Sequence, residues 1–270
     1  MGYKLAAFAD EASPNIDEQI KAMKENGIEL LEIRGVDGVN ISEITVSKAK
    51  EVKSKLDDAG LFVWSLGSPF GKIGINDAFD KHLDSFKHGL ELCEALDAKH
   101  IRLFSFYGSE GRFDEVAKRL GKFAEAAKGS GVMLCHENEK GIYGDIASRC
   151  LEIHEAFPEI KAVFDPANFI QSGQNTKEAW DLLSPFIEYM HIKDALPDGS
   201  VVPAGKGAGD LPFLLSKYKG KVLTIEPHLT VFNGLENLEG PEKSRVGQYT
   251  YRDSFTAFKA AADALKELIS

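Results

Sequence analysis

The chain has 270 residues, of which 43% are hydrophobic and 27% are charged, and its formal net charge is −10. This apolar content excludes a disordered chain, and the length suits one large α/β barrel or two smaller domains. The negative charge disfavours nucleic acid as a partner, because the chain repels a polyanion and has no Lys/Arg-rich arm.

The cysteines and the N-terminus restrict the compartment. Cys93, Cys135 and Cys150 lack C-x-x-C spacing, so neither a disulfide framework nor a thiolate zinc site is indicated. The N-terminus has no basic region followed by an apolar stretch, and no apolar run approaches the roughly 18 residues of a membrane span. We therefore expect a cytoplasmic protein that does not contact a membrane.

Short apolar or β-branched runs alternate with longer segments of helical period along the chain. Eight runs are predicted to be strands: Lys4 to Ala9, Leu30 to Ile33, Leu61 to Leu66, His100 to Phe104, Val132 to Glu137, Ala162 to Asp165, Ile187 to Lys193 and Val222 to Glu226. Helical patterns follow them in turn: Ile16 to Asn26, Ser42 to Ala59, Phe79 to Leu96, Asp114 to Lys128, Asp145 to Phe157, Lys177 to Leu183, Leu211 to Tyr218 and Tyr251 to Leu268.

The order of strand then helix, repeated eight times, predicts the fold. Alternating βα units imply a parallel sheet with right-handed crossovers, and eight units in this length favour closure into a barrel. An open doubly wound sheet is disfavoured, because the first βα junction, Phe8 to Pro14, lacks the G-x-G-x-x-G of a dinucleotide site. The sequence predicts a single α/β domain over residues 1–270, a (β/α)8 TIM barrel.

Four consecutive strands end on a metal-capable side chain, at the end of the barrel where active sites lie. Each of these residues is about one βα unit from the next along the chain: Glu137, Asp165, His191 and Glu226. A helix cap or a surface carboxylate explains any one of them, but four equivalent positions favour a site for one divalent ion. Three carboxylates and an imidazole suit Mn²⁺ or Mg²⁺ best, although Zn²⁺ or Co²⁺ also bind such ligands.

The segments around these residues resemble the xylose-isomerase-like barrel superfamily. The matching motifs are HEN at His136 to Asn138, FDPANF at Phe164 to Phe169, HIKDA at His191 to Ala195, VVPAGKGAGDLP at Val201 to Pro212 and IEPH at Ile225 to His228. Within the superfamily, the sequence is most similar to the sugar phosphate isomerase/epimerase branch, which is related to ketose 3-epimerases and inosose dehydratases. The resemblance implies that the four strand-end residues are metal ligands and that Glu137 and Glu226 are also the acid/base pair.

The chemistry of such a site agrees with this implication. A divalent ion that holds a carbonyl oxygen and the adjacent hydroxyl oxygen acidifies the C–H between them by stabilising the enediolate. One carboxylate removes the proton, and the other returns it on the opposite face for epimerisation. Return to the neighbouring carbon gives isomerisation instead. We therefore expect an isomerase or epimerase of a sugar, sugar phosphate or cyclitol.

The sequence departs from the ketose epimerase pattern at two positions. Asn168 stands where those enzymes have a substrate-polarising histidine, and Pro197 stands where they have an arginine. Lys193 shares the strand phase of His191 and is a candidate for the missing cation, with a lysine that caps the strand end as the alternative. We expect Asn168 and Lys193 to bind substrate.

Two further residues near strand ends are predicted to bind substrate. Arg34 closes the second strand and is the best-placed arginine for a substrate hydroxyl, carboxylate or phosphate. His228 shares the parity of Glu226 but follows Pro227, so a position beside the substrate and an exposed position are equally compatible with the sequence.

A glycine-rich loop, Gly205 to Asp210, follows the seventh strand. Its backbone N–H groups and the following helix N-terminus are suited to an anion such as phosphate, and Lys206 is a candidate to bind it. The alternative is a flexible loop in which Asp210 caps the next helix.

Strand alternation predicts that His136 points away from the mouth, towards the helices. Trp64, Phe104 and Phe106 lie at strand ends, where core packing is favoured over a wall of the active site. The segment from Thr230 to Arg252 is long for a βα loop. A lid over the mouth and a contact in a homo-oligomer are both compatible with it.

Three other functions remain open. A lyase would dehydrate or cleave a keto-sugar or keto-cyclitol through the same enediolate. An endonuclease-IV-like DNA repair enzyme shares the barrel but needs a histidine-rich three-zinc cluster and a basic face, whereas this chain has only seven histidines, which are scattered. A barrel that binds a sugar without chemistry is also compatible with Asn168.

Overall fold

The computed structural model describes residues 2–230, 245–246 and 249–270. Eight parallel strands form a closed barrel in which each strand pairs with its neighbours in the chain and the first pairs with the last. The strands are β1 (Lys4–Ala7), β2 (Leu30–Ile33), β3 (Phe62–Leu66), β4 (His100–Leu103), β5 (Met133–Glu137), β6 (Lys161–Phe164), β7 (Ile187–Ile192) and β8 (Val222–Ile225). The predicted TIM barrel is confirmed.

Helices follow the strands and form the outer layer. The α-helices are α1 (Ile16–Glu25), α2 (Val46–Ala59), α3 (Asp80–Leu96), α4 (Phe113–Ala127), α5 (Ala147–Ala156), α6 (Pro166–Gln171), α7 (Thr176–Leu183), α8 (Leu211–Lys217) and α9 (Ser254–Ile269). The described residues also contain four short 3-10 helices: Ala9–Glu11, Ile41–Glu43, Tyr143–Asp145 and Ser184–Phe186.

The structure departs from the predicted elements where capping residues intervene. The helix predicted from Ser42 is interrupted, and α2 begins after Thr45, whose hydroxyl oxygen accepts the N–H of Lys48 at 3.1 Å. The short helix α6 was not predicted. It begins at Pro166 because the Asp165 carboxylate accepts an N–H of its first turn and the proline already has a helical φ.

The strands β4, β6, β7 and β8 end one residue earlier than predicted, and β1 ends two residues earlier. In β6 and β8 the residue left out of the strand is a predicted metal ligand. Asp165 leaves the ladder as the N-cap of α6, so β6 ends at Phe164. Glu226 is followed by Pro227, which has no N–H to donate to a ladder, and β8 ends at Ile225. Both carboxylates therefore lie just beyond the barrel wall, at its carboxyl end.

Apolar side chains fill both the barrel and the space under the helices. A buried cluster of Ala6, Cys135, Val163, Tyr189 and Val222 packs together, with Trp64 partly buried against it. A much larger core includes Phe106, whose ring lies 5.9 Å from that of Phe79 and 6.2 Å from that of Phe123. Trp64 and Phe106 therefore pack in the core, which is the interpretation that the sequence favours.

A small sheet lies beyond the carboxyl end of β7. Asp194–Ala195 pairs antiparallel with Ser200–Val202, and Arg245–Val246 pairs parallel with the latter strand. The predicted lid or subunit segment, Thr230 to Arg252, lies largely outside the described residues. Among the helices that the structure describes, none has the length and apolar character that crossing a bilayer requires.

Candidate metal centre at the barrel mouth

The four residues predicted as metal ligands meet at the carboxyl end of the barrel. Glu137 ends β5, Asp165 follows β6, His191 lies in β7 and Glu226 follows β8. One donor atom of each lies within 4.8 Å of the other three. All four side chains are buried, with at most 4% of their surface exposed. The structure thus brings the predicted set into one cluster, which we call the donor cluster.

The donor cluster fits a single divalent ion. Donors bound at about 2.1 Å lie at most about 4.2 Å apart, so a small contraction brings all four atoms into the range of one ion. Asp165 Oδ2 is buried, and no well-directed hydrogen bond from the described residues uses it, although Lys193 Nζ lies 3.2 Å away. Three carboxylates and one imidazole match the preference of Mn²⁺ and Mg²⁺, and zinc also binds such donors.

His191 is held between carboxylates on both sides of its ring. Its Nε2 lies 3.0 Å from Glu32 Oε2, whereas its Nδ1 lies 3.0 Å from Glu137 Oε1 and 3.5 Å from Glu226 Oε2. Burial would lower the pKa of His191, but the charges of Glu137 and Glu32 raise that pKa well above its ordinary value. Nδ1 therefore faces the donor cluster, and Nε2 faces away from it.

Glu137 has a partner on each oxygen. Arg102, in β4, donates from Nη1 to Glu137 Oε2 at 3.0 Å, and Asn168 donates from Nδ2 to Oε1 at 3.1 Å. Burial would raise the pKa of Glu137, but the charges of His191 and Arg102 hold it below its ordinary value. Asn168 thus contacts a proposed metal ligand and does not point away from the site.

Lys193 lies inside the site and is 3% exposed. Its Nζ is 3.0 Å from Glu226 Oε2 and 3.2 Å from Asp165 Oδ2. Burial raises the pKa of Asp165 to about 7, although the Lys193 charge acts in the opposite direction. Burial would also raise the pKa of Glu226, but the charges of Lys193 and His228 hold it well below its ordinary value. Lys193 therefore lies beside the donor cluster, as expected for the missing cation, and does not merely cap the strand end.

Arg34 and His228 lie next to Oε1 of Glu226, the oxygen that does not contact Lys193. Arg34 Nη1 lies 3.4 Å and His228 Nε2 lies 3.3 Å from Glu226 Oε1. Arg34 also pairs with Asp10 at 2.8 Å and with Glu11 at 3.0 Å, and it is buried. Burial raises the pKa of Glu11 to about 8, although Arg34 lowers it. Arg34 is therefore already engaged by three carboxylates, and His228 is buried at the rim and not exposed.

The glycine-rich loop holds a carboxylate of the protein itself. Asp194 accepts the N–H groups of Gly205, Gly207 and Gly209, each at 2.9 Å. The N–H groups of the two intervening residues go to backbone carbonyls. Every N–H of residues 205–209 is thus used within the loop region, and the structure does not support its interpretation as a phosphate site.

Two charged residues of the same loop lie away from the donor cluster. The Lys206 side chain is exposed. Asp210 precedes α8, but its carboxylate makes no cap hydrogen bond and instead accepts from the Thr176 hydroxyl at 3.1 Å and pairs with Lys177 at 2.9 Å. The expectation that Asp210 caps this helix is wrong, because these partners occupy its oxygens.

His136 and Phe104 lie on opposite sides of the barrel wall. His136 is buried among the helices as predicted, with Nε2 at 3.0 Å from Ser105 Oγ and its ring 5.8 Å from that of His154. Phe104 lies below two cations, with its ring centre 4.3 Å from Lys72 Nζ and 4.9 Å from the Arg102 guanidinium. It packs beside the site without a polar contact to it.

The site includes residues that the sequence analysis did not single out: Asp10, Glu11, Glu32, Arg102 and Asn138. Glu32 and Arg102 carried a usable signal, since each is a charged residue within an otherwise apolar strand that a closed barrel buries. Asn138 exchanges two hydrogen bonds with the backbone of Asp165, at 2.8 and 2.9 Å, and so aligns the ends of β5 and β6. No sequence pattern indicates that pairing.

Comparison with known proteins agrees with this geometry. A family model described as xylose isomerase-like TIM barrel matches residues 20–227. The sequence has no significant similarity to any curated protein.

Similar solved structures include three that are relevant to the chemistry. The probable 3-DHS dehydratase AsbF from Bacillus anthracis is 16% identical, with 98% of this chain and 99% of that chain covered and a TM-score of 0.73. The IOLI protein with a zinc atom is 16% identical over 98% of both chains, with a TM-score of 0.72. The D-psicose 3-epimerase with D-tagatose from Clostridium cellulolyticum H10 is 14% identical over 98% of both chains, also with a TM-score of 0.72. At these identities the similarity establishes the fold.

Proposed function

The chain belongs to the xylose isomerase-like TIM barrel family, and on this premise we propose that it is a divalent-metal-dependent isomerase or epimerase of a sugar, sugar phosphate or cyclitol. The observation that carries the proposal is the donor cluster, in which four buried donor atoms from consecutive strands lie within 4.8 Å of one another. A similar structure with zinc and a similar ketose epimerase support it.

The proposed ligands are Glu137, Asp165, His191 and Glu226, with Mn²⁺ or Mg²⁺ as the preferred ion and Zn²⁺ or Co²⁺ as alternatives. When bound, such an ion supplies a Lewis acid that stabilises negative charge on a substrate carbonyl oxygen. Asp165 and His191 act as ligands only.

Glu137 and Glu226 are the proposed acid/base pair. Glu137 ends β5 and Glu226 follows β8, with β6 and β7 between these strands, so the two side chains approach the centre of the mouth from different directions. One removes the proton next to the carbonyl, and the other returns a proton to the resulting enediolate. Return on the opposite face gives the epimer, and return to the neighbouring carbon gives the isomer.

Lys193, Asn168, His228 and Arg34 surround this pair and are proposed to orient the substrate oxygens. Lys193 and His228 are the closest of them to Glu226, at 3.0 and 3.3 Å. Asn168 donates a hydrogen bond, but its amide does not act as an acid or base at neutral pH, so the acid/base role of a histidine is not assigned to this position. Lys206 is exposed, which makes it the weakest of the predicted substrate contacts.

A dehydratase is the second candidate, and Lys193 is the observation that favours it. Loss of water requires a proton for the departing hydroxyl group, and the Lys193 ammonium lies buried at 3.2 Å from Asp165 and 3.0 Å from Glu226. In that reaction a glutamate takes the proton from carbon, the C–O bond breaks, and Lys193 supplies the proton that makes the leaving group water. The fold is shared with a probable dehydratase.

The test is hydrogen exchange in D₂O. The protein is stripped with chelator, reloaded with Mn²⁺ or Mg²⁺, and incubated with ketoses, their phosphates and keto-cyclitols, and NMR identifies the C–H that exchanges. We expect deuterium beside the carbonyl of one substrate class, together with a new epimer or isomer. Loss of water without an epimer would replace the isomerase by the dehydratase.

Matched variants identify the acid/base pair. Glu137→Gln and Glu226→Gln are each expected to abolish exchange, because each change removes a charged metal ligand and an acid/base group at once. Glu188→Gln is the control, since Glu188 lies near the amino end of β7, where it faces His100 at 3.2 Å. Exchange retained in either glutamate variant contradicts the assignment. A protein that neither contains nor takes up a divalent ion supports a non-catalytic sugar-binding barrel instead.

A further inference from the structure

Glu32 lies behind His191 in the interior of the barrel. It belongs to β2, which is separated from β7 by β1 and β8, so the two side chains reach towards each other across the barrel. Glu32 Oε2 is 3.0 Å from His191 Nε2, and both side chains are fully buried. Glu32 is not a member of the donor cluster. A carboxylate in this position therefore calls for an explanation other than direct metal binding.

Polar contacts hold the Glu32 carboxylate in one orientation. The Tyr189 hydroxyl donates to Oε1 at 2.8 Å, and Ser65 Oγ lies 3.5 Å from the same oxygen. Oε2 is left to His191. A buried carboxylate is costly unless its oxygens are paired, and here each oxygen has a partner. Glu32 is thus a rigid acceptor directed at one nitrogen of the histidine ring.

The neutral imidazole ring has one N–H and one lone pair, and its outer hydrogen bond decides which nitrogen carries which. When a divalent ion takes the place of a proton at Nδ1, an acceptor at Nε2 keeps the remaining proton there and leaves the Nδ1 lone pair to the ion. Nδ1 is the nitrogen that lies 3.0 Å from Glu137 and 3.5 Å from Glu226. The ring is further fixed by Phe8, whose ring packs edge-on at 5.1 Å.

We propose that Glu32 is a positioning residue for the metal site: it accepts the Nε2–H of His191 and so presents the Nδ1 lone pair to a divalent ion in the donor cluster. This rests on the proposed function, because it takes His191 as a metal ligand. Carboxylates that bind the outer N–H of a ligand histidine typically change metal affinity by about 10–100-fold when they are removed.

A purely structural role for Glu32 makes a different prediction. If the carboxylate only fills the barrel interior and pairs with Tyr189, its replacement changes the free energy of unfolding but leaves the metal affinity of the folded protein unchanged. Metal affinity, measured separately from stability and from turnover, distinguishes the two roles.

The experiment compares Glu32→Gln with Glu188→Gln. Glu188 is a matched control, because it forms a second carboxylate–histidine contact in the same barrel, with His100 Nε2 at 3.2 Å, far from the donor cluster. Calorimetric titration of chelator-treated protein with Mn²⁺ is expected to show a loss of about 10–100-fold in affinity for Glu32→Gln and no change for Glu188→Gln. Nitrogen NMR of the zinc-loaded wild type is expected to show a protonated Nε2 on His191.

The outcomes separate this inference from the proposed function. If the wild type binds no divalent ion, the proposed function fails. If the wild type binds Mn²⁺ and folded Glu32→Gln binds it equally well, or if Nε2 is the metal-bound nitrogen, the positioning role is overturned. If Glu32→Gln does not fold, Tyr189→Phe decides, because it removes the hydrogen bond to Glu32 Oε1: weaker Mn²⁺ binding supports the role, and unchanged binding overturns it.

Discussion

The two halves of the barrel mouth differ in what they contribute. The carboxyl ends of β5 to β8 supply the four donors. In contrast, β1 to β4 and their loops supply charged groups that contact those donors. Glu32 contacts His191, Arg102 contacts Glu137, and Arg34 contacts Glu226. A donor half and a supporting half thus face each other across the mouth.

This division explains how three carboxylates can be buried next to one another. A buried carboxylate without a partner is strongly unfavourable, and each of the three has a cation next to it. Arg102 lies at 3.0 Å from Glu137, and Lys193 lies at 3.2 Å from Asp165 and 3.0 Å from Glu226. Two of the cations near the donors, Arg102 and Arg34, come from the supporting half. The positive charges of the protein itself therefore offset those of the three buried carboxylates.

Breaking the donor half is expected to have the largest effect. Asp165→Asn removes one donor charge but keeps an oxygen that can cap α6, so the fold is retained. We expect the affinity for Mn²⁺ to fall by more than about 100-fold, beyond the range of a supporting residue, and exchange in D₂O to be lost. Calorimetric titration measures the first and NMR the second. Wild-type affinity in this variant would exclude Asp165 as a ligand.

Breaking the supporting half is expected to affect stability first. Arg102→Met leaves the buried Glu137 without its cation, and removal of one partner of a buried ion pair typically costs about 3–5 kcal/mol. Urea denaturation of metal-free protein measures the free energy of unfolding. Arg112→Met is the control, since the exposed Arg112 side chain bonds only to Asn76 among the described residues, and surface changes typically stay within about 0.5 kcal/mol. Equal stability of the two variants would contradict a supporting role for Arg102.

A substitution in the glycine-rich loop that follows β7 is expected to have the smallest effect. In Gly207→Ala, the added carbon would lie 2.3 Å from Asp194 Oδ1 and 2.4 Å from the carbonyl oxygen of Ala195, so the loop must shift. Overpacking of this kind costs about 1–3 kcal/mol, which thermal unfolding detects.

Lys206→Ala in the same loop is the control for that variant. Its side chain is exposed, so we expect a change within about 0.5 kcal/mol. Similar losses in both variants would mean that the loop does not hold Asp194 tightly. A selective loss of binding of phosphorylated substrates in Lys206→Ala would return this lysine to a role in substrate binding.

The two halves also differ in how far the sequence predicts them. The donors come from consecutive strands, and each stands at a strand end, so a single pass along the chain finds Glu137, Asp165, His191 and Glu226. The supporting residues pair with other strands, and one pair spans the barrel: Glu32 contacts His191, which lies 159 residues later in the chain. A charged residue in an apolar strand indicates a buried partner, but the identity of that partner depends on closure of the barrel.

The glycine-rich loop illustrates a second limit. Its sequence predicts converging N–H groups, and the structure has them, but the anion that they bind is the Asp194 carboxylate. The loop and Asp194 are 11 to 15 residues apart, and a β-hairpin between them brings them together. Such a motif predicts that backbone N–H groups converge. Whether they bind a ligand or a side chain of the protein depends on the tertiary structure.

We expect the donor cluster to bind one divalent ion. The most direct test is the number of Mn²⁺ ions that chelator-treated wild-type protein binds per chain, measured by titration calorimetry and checked by elemental analysis after dialysis. One ion per chain, lost in Asp165→Asn and retained in Glu188→Gln, is the predicted result. No bound ion in the wild type, or one ion held equally well by both variants, would contradict the claim.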